Sequence, residues 1–256
     1  VYRFWDDLGE KGFKKLIDEG TFCRNTHYNY VPTYTGPGHA SIFTGTTPAV
    51  HGIIGNSWYS RDSLKPVYCA GDWKAQTICL CQKPHDKLNK GDGKMSPRNL
   101  LSTTIGDQLK TVDSLSKVFG VSLKDRGAIL SAGISADGAF WMNSKGDWIT
   151  STFYNSKFPM WIKEFSDVNS VETYMNGIWN GSSFSVNLHE MYQKMGPAAI
   201  KSTPKGNQIL WDFSKELIHS IEQNLFDPID FLYWRNKDLE FNSIKSLLNS
   251  LNKKSN

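Results

Sequence analysis

Thr35 is the residue of this sequence whose type and setting could do chemistry. It lies in Thr33-Tyr34-Thr35-Gly36-Pro37-Gly38-His39-Ala40-Ser41-Ile42, a hydroxyl just ahead of a glycine-loosened helix start. Helix N-termini expose unpaired N–H groups and a partial positive charge. That setting favours anions, phosphate included, and an alkoxide over a hydroxyl. The flanking glycines let a substrate come close to the backbone. Read by itself, the same residue is an N-terminal cap, the common use of a threonine before a helix.

A larger constellation surrounds it. Pro32-Thr33-Tyr34-Thr35-Gly36-Pro37-Gly38-His39, then Thr44-Gly45, then His51-Gly52-Ile53, then Asn56 follow in order. This run resembles the nucleophile region of the phosphodiesterase, nucleotide pyrophosphatase and phosphomonoesterase branch of the alkaline phosphatase superfamily. The resemblance implies that Thr35 attacks phosphorus and that Asn56 hydrogen-bonds a phosphoryl oxygen. Asparagine suits that role, because its amide donates without adding charge. On local sequence alone, Asn56 reads as a turn residue after Gly55.

Leu123-Lys124-Asp125-Arg126-Gly127 resembles the Lys-x-Arg segment of periplasmic bacterial phosphomonoesterases with a threonine nucleophile. That match implies that Lys124 and Arg126 both reach the transferred phosphoryl group. A monoester transition state spreads negative charge over its equatorial oxygens. An arginine fork and a lysine point charge can stabilise it. The local alternative is a solvated charged loop. The resemblance runs over roughly residues 1–232, including 97–130, Trp148 to Tyr154, and Ser202-Thr203-Pro204-Lys205-Gly206-Asn207.

What the resemblance implies is hydrolysis of small phosphate monoesters through a phospho-threonine intermediate. The site is a two-zinc one in which Thr35 is also a metal ligand, in a periplasmic or secreted protein. A phosphodiesterase or nucleotide pyrophosphatase of the same fold is the alternative within the family. A non-catalytic remnant that keeps an anion pocket is the alternative outside it. The family's other zinc ligands, Asp and His residues from several loops, find no counterparts. After Leu232 the chain reads Tyr233-Trp234-Arg235-Asn236-Lys237-Asp238, and four positions past Asp238 stands Asn242 rather than histidine. His27, His39, His51, His85, His189 and His219 read as surface or structural histidines. The chain is therefore expected to be a truncated or excised copy of the site that binds zinc poorly, with 233–256 a divergent tail.

The elements that must position these residues are read from apolar spacing. Leu8, Phe13, Leu16 and Ile17 predict a helix over 5–18, stopped by Gly20. A short helix is expected over 39–44, with Pro37 in its first turn. Residues 60–95 read as an irregular polar excursion. Ser96-Pro97 reads as the start of a helix over 97–111, with Leu100, Leu101, Ile105 and Leu109 on its buried face. Val118 to Leu123 is a strand that would present Lys124 and Arg126 at its carboxyl end, where open α/β sheets place their sites. Strands are expected around Trp141 and over 148–154, with a loop-rich stretch over 155–208. A helix over 212–225, a strand at 229–233 and a small tail helix on Ile244, Leu247, Leu248 and Leu251 complete the reading. Strands alternating with helices predict an α/β fold, a three-layer αβα alkaline-phosphatase-like domain spanning 1–232.

Bulk properties exclude other classes. The chain has 256 residues, 39% hydrophobic and 13% aromatic, with nine Trp, which disordered chains lack. Net charge is +4 with scattered basic residues and only Lys253-Lys254 paired at the tail, so no nucleic-acid partner is expected. No apolar run is long enough to span a membrane, and nothing in the sequence sets an oligomeric state. Cys79-Leu80-Cys81 has the wrong spacing for a zinc knuckle. Together with Cys23 and Cys69 these residues read as thiols or as one or two disulfides.

Overall fold

A computed structural model describes residues 5–6, 8–79, 92–181 and 183–223. The chain divides into two compact units, one up to Thr33 and one from Tyr34 onward. Among the described residues of the first unit the only helix is α1, Phe13–Glu19, which buries none of its residues. It starts later than its apolar spacing predicts. Gly12 has φ 74°, in the left-handed region, and so breaks the helix on its N-terminal side.

The second unit runs α2 (Thr35–Thr44), α3 (Pro48–His51), β1 (Ser57–Ser60), β2 (Lys65–Tyr68) and β3 (Thr77–Ile78). It continues with α4 (Ile105–Val112), β4 (Phe119–Ser122), α5 (Asp125–Ala132), β5 (Gly138–Met142) and β6 (Trp148–Ser151). Then come α6 (Met160–Val168), α7 (Val171–Tyr174), β7 (Ile178–Asn180), β8 (Ser185–Asn187), α8 (Leu188–Met195), a 3-10 turn at Pro197–Ser202, and α9 (Pro204–Glu222). The main sheet has the order β3-β6-β5-β4. Strands β4 and β5 are parallel, so the chain must cross over between them, and α5 is that crossover. Strand β6 folds back antiparallel on β5, and β3 pairs with β6.

Both faces of this sheet are covered. Phe140 and Met142 of β5 point into an aromatic core built with α6 and α9, where Phe213 stacks on Trp148 at 3.8 Å. Ala139 and Trp141, the alternate residues, pack with Ala128, Ile129 and Ala132 of α5. A strand buried on both faces reads as a continuous apolar run, which is how Gly-Ala-Phe-Trp-Met appears. A third cluster joins Ala40, Ile53, Cys69, Leu100 and Leu130, and ties α2 and the β2 end to α5.

Several expected elements move. The stretch expected to be an irregular excursion contains β2 and β3, and the loop-rich stretch holds α6 to α8, the β7–β8 hairpin and the start of α9. The helix read over 97–111 starts instead at Ile105, where Thr104 and Asp107 form a reciprocal capping box. Ser96 donates to Asp72 Oδ2 at 2.7 Å and accepts from the Arg98 N–H at 3.2 Å, but only a turn follows it, not a helix. Of the predicted buried face, Leu100 is 2% exposed but Leu101 is 75%, Ile105 71% and Leu109 47%. Their common stripe has no cover among the described residues. Helix α9 starts at Pro204 rather than 212, because Thr203-Pro204 is the real N-terminus. The 229–233 strand, the tail helix, the 232/233 boundary, Cys81 and His85 lie outside the described residues.

Candidate active site

Helix α2 begins at Thr35 itself. The N-cap is Tyr34, whose side chain makes no capping bond. Thr35 is therefore the first helical residue and not the cap that local sequence suggests. Its side chain is half-buried. The glycines that seemed to interrupt the helix are inside it, and Pro37 falls in the first turn, where a missing N–H removes no hydrogen bond.

Asn56 sits against this turn. Its Oδ1 accepts from the Gly36 N–H at 2.7 Å. A backbone N–H can only donate, so the oxygen faces Gly36 and the amide nitrogen keeps both of its donors for another group. The Asn56 carbonyl accepts from the Cys69 N–H at 3.0 Å, next to the Ser57–Tyr68 pair that opens the β1–β2 ladder. A side chain at Gly36 would crowd its neighbours. A Cβ would lie 3.2 Å from each of Asn56 Oδ1, Cys69 Sγ and the Gly55 carbonyl.

Lys124 is the N-cap residue of α5 and is exposed, with Asp125 and Arg126 following in the first turn. They lie just past the carboxyl end of β4, where the strand reading put them. Arg126 Nη1 donates to the Tyr68 hydroxyl at 2.9 Å, and that hydroxyl donates to Asp125 Oδ1 at 2.9 Å. Arg126 Nε is buried with no hydrogen-bond partner. The two helix starts are neighbours. His39 donates from Nδ1 to the Thr35 carbonyl at 2.8 Å, and its Nε2 is 3.6 Å from where a Cβ of Gly127 would stand. Thr35, Asn56 and Arg126 are thus joined through Gly36, Cys69, Tyr68 and His39.

Electrostatics set the protonation states. Burial pushes the Tyr68 phenol well above its ordinary range, and the Asp125 charge adds to the shift, so the hydroxyl stays a donor. Burial and Asp125 likewise push the Cys69 thiol up to about 12, which leaves it an inert packing group. Burial works against the Arg126 cation, but the Tyr68 hydrogen bond and the Asp125 charge outweigh it. His51 is buried and fully used: its Nδ1 accepts from the Ile53 N–H at 3.1 Å and its Nε2 donates to Ser41 Oγ at 3.0 Å.

Among the described residues no group of three or more His, Cys, Asp or Glu side chains comes together to hold a metal. The described residues by themselves do not fit a two-zinc set. Cys79 is disulfide-bonded, while Cys23 and Cys69 are free thiols. Sequence reading missed Tyr68 altogether. The available signal was the aromatic, β-branched pairing of Trp58-Tyr59 with Val67-Tyr68, which marks a hairpin.

Residues 1–234 match the family described as type I phosphodiesterase/nucleotide pyrophosphatase. A calcium-transporting ATPase of Myroides odoratus is 37% identical over 265 residues, covering 91% of this chain and 46% of that protein. Alkaline phosphatase PafA of Elizabethkingia meningoseptica is 43% identical over 182 residues, covering 70% of this chain and 32% of the relative. A crystal structure of alkaline phosphatase PafA, substituted at one threonine, one asparagine, one lysine and one arginine, superposes with a TM-score of 0.76 at 34% identity. It covers 86% of this chain and 47% of its own. The chain spans less than half the length of each of these proteins, and its fold is the alkaline-phosphatase-like α/β fold of that neighbour.

Proposed function

The chain belongs to the type I phosphodiesterase/nucleotide pyrophosphatase family, and from that footing we propose that the protein hydrolyses small phosphate monoesters with Thr35 as nucleophile. One observation carries the reading. Asn56 spends its oxygen on the Gly36 N–H beside Thr35 and keeps its donors, and the α2 start neighbours, through His39, the helix start that bears Lys124 and Arg126. The PafA variant supports it. Its four substituted residues are of these four types in this order. The first two and the last two are separated as Thr35 is from Asn56 and Lys124 from Arg126.

In this reading the Thr35 oxygen attacks phosphorus, the bond to the leaving alcohol breaks, and water later hydrolyses the phosphothreonine. The chain's own part is electrostatic. The Asn56 amide donates to a phosphoryl oxygen, and Lys124 and Arg126 meet the charge of a dianionic group. Zinc belongs to the proposal as a family property, with Thr35 the ligand that this chain supplies. A periplasmic or secreted location is proposed on the same footing, and the Cys79 disulfide accords with an oxidising compartment. No helix among the described residues is long and apolar enough to cross a membrane.

The name of the matching family favours a second reading, cleavage of phosphodiesters or nucleotide pyrophosphates. Turnover of p-nitrophenyl phosphate and of bis-p-nitrophenyl phosphate, with zinc supplied, separates the two. A monoester preference that disappears in Thr35→Ala, and that shrinks in Lys124→Ala, is the expected result. A zinc-dependent monoesterase rate that survives Thr35→Ala refutes the nucleophile. Binding of inorganic phosphate with no turnover under any metal condition supports the anion-binding reading instead.

A further inference from the structure

We infer that Tyr68 is a positioning residue for Arg126, holding its guanidinium for an oxyanion through a relay anchored on Asp125; the inference rests on the proposed role of Arg126 at the phosphoryl group. Asp125 and Arg126 are adjacent in sequence, and an aspartate so placed could clamp the guanidinium directly. It does not. Arg126 Nη1 stands 3.8 Å from Asp125 Oδ1, and the Tyr68 hydroxyl lies between them at 2.9 Å from each.

The arrangement has a chemical consequence. A carboxylate that gripped the guanidinium fork would neutralise it and occupy the edge used for two-point recognition of oxyanions. Here the neutral phenol takes only the Nη1 corner. The side edge, Nε with Nη2, is left over, and Nε has no hydrogen-bond partner despite its burial. An orphaned buried donor costs about 1–3 kcal/mol, and Arg126 Nε, without a partner among the described residues, is a bond that a ligand at this site could make. Asp125 still acts on Arg126, by its charge at 3.8 Å and by hydrogen bonding through the phenol.

Tyr68 is itself held firmly enough to do this. It is the last residue of β2, paired with Ser57. The Asn99 amide donates to the carbonyls of Tyr68 at 3.0 Å and Cys69 at 3.2 Å, fixing the turn that follows the strand. The phenol is kept protonated by burial and by Asp125, so it can pass one hydrogen bond on to Asp125 while accepting another from Arg126. The β1–β2 hairpin therefore links both halves of the site. Asn56 precedes its first strand and serves the Thr35 side, and Tyr68 ends its second strand and serves the Arg126 side.

The test is a double-mutant cycle read by binding of inorganic phosphate to the full chain, with Tyr68→Phe, Arg126→Ala and the pair. Tyr68→Phe keeps the ring and removes the hydroxyl. The expected result is about tenfold weaker phosphate binding at temperatures where the variant is fully folded, and no further loss when Tyr68→Phe is added to Arg126→Ala. Equal losses from Tyr68→Phe in both backgrounds overturn the positioning role. If Arg126→Ala leaves phosphate binding unchanged, or the unmodified chain binds none, the functional reading of Arg126 fails instead. The guanidinium NMR signals of Arg126 decide the relay independently of any ligand. Hindered Nη rotation in the unmodified chain should become averaged in Tyr68→Phe, and an unchanged spectrum rejects the relay.

Discussion

Asn56 holds two jobs that a pair of substitutions can separate. Asn56→Ala removes the acceptor of the Gly36 N–H, a bond of 2.7 Å to a buried residue. An unsatisfied buried N–H costs about 1–3 kcal/mol. For a chain of this size that corresponds to roughly 2–4 °C of Tm per kcal/mol. Asn56→Asp keeps the acceptor and gives it charge at a helix N-terminus, which is favourable by about 0.3–1 kcal/mol. Its thermal stability should match or exceed the native value. The aspartate has no donors, however, and it faces a phosphoryl group with a negative charge. Two unit charges about 4 Å apart repel by about 4 kcal/mol at a surface-like dielectric of about 20. Phosphate affinity should therefore fall by more than about a hundredfold in Asn56→Asp, the more stable variant, and by less in Asn56→Ala, the less stable one. Thermal unfolding followed by circular dichroism and phosphate titration by calorimetry read the two axes. If Asn56→Asp binds phosphate as well as the native chain, or unfolds as early as Asn56→Ala, the assignment of oxygen to Gly36 and amide to the substrate is wrong.

Other predictions follow from groups outside the reaction. Burial lowers the His51 pKa below its ordinary 6.5, with a backbone hydrogen bond opposing the shift in part. The unfolded chain then takes up the proton first, so the His51 contribution to stability is complete above about pH 6.5 and declines as the pH falls below it. The urea midpoint should drop on acidification through that window, and His51→Gln should flatten the dependence; an equally steep decline in the variant would assign it to other groups. Phe213 is fully buried and stacked on Trp148. Phe213→Ala should cost about 3–5 kcal/mol in urea unfolding at unchanged phosphate affinity, and a matching loss of affinity under folding conditions would mean that the aromatic core supports the site.

The candidate site is readable in sequence to the extent that its proposed residues lie in short segments. Thr35 with its glycines, and Lys124 with Arg126, each lie within a few residues, and one helix start fixes each set. The two strands of the βαβ unit were legible as well, but its helix α5 was not read from the sequence. Its strands are apolar runs, and its crossover is punctuated by Lys124-Asp125-Arg126-Gly127. Elements were misread where a polar residue had a distant partner. Ser96 looks like a helix cap before Pro97 and does accept the Arg98 N–H, but Asp72 takes both its hydroxyl and Arg98 Nε at 2.6 Å, and only a turn follows. The helix waits for Thr104, whose partner Asp107 lies within the same turn.

The same distinction explains why Tyr68 could not be read from the sequence. Residue type and local spacing say that an arginine is available; they do not say which edge of its guanidinium is free. That depends on a hairpin whose Tyr68 is far from Arg126 along the chain and meets it only because α2, β2 and α5 share the Ala40–Cys69–Leu130 cluster. Orientation at this site is therefore a property of tertiary packing. A substitution that loosens the cluster without touching any polar group, such as Leu130→Ala, should weaken phosphate binding by releasing the Tyr68–Arg126 geometry, beyond its effect on stability. If phosphate affinity in Leu130→Ala is intact at temperatures where the chain stays folded, the orientation of Arg126 comes from its own helix, and the hairpin is only a neighbour.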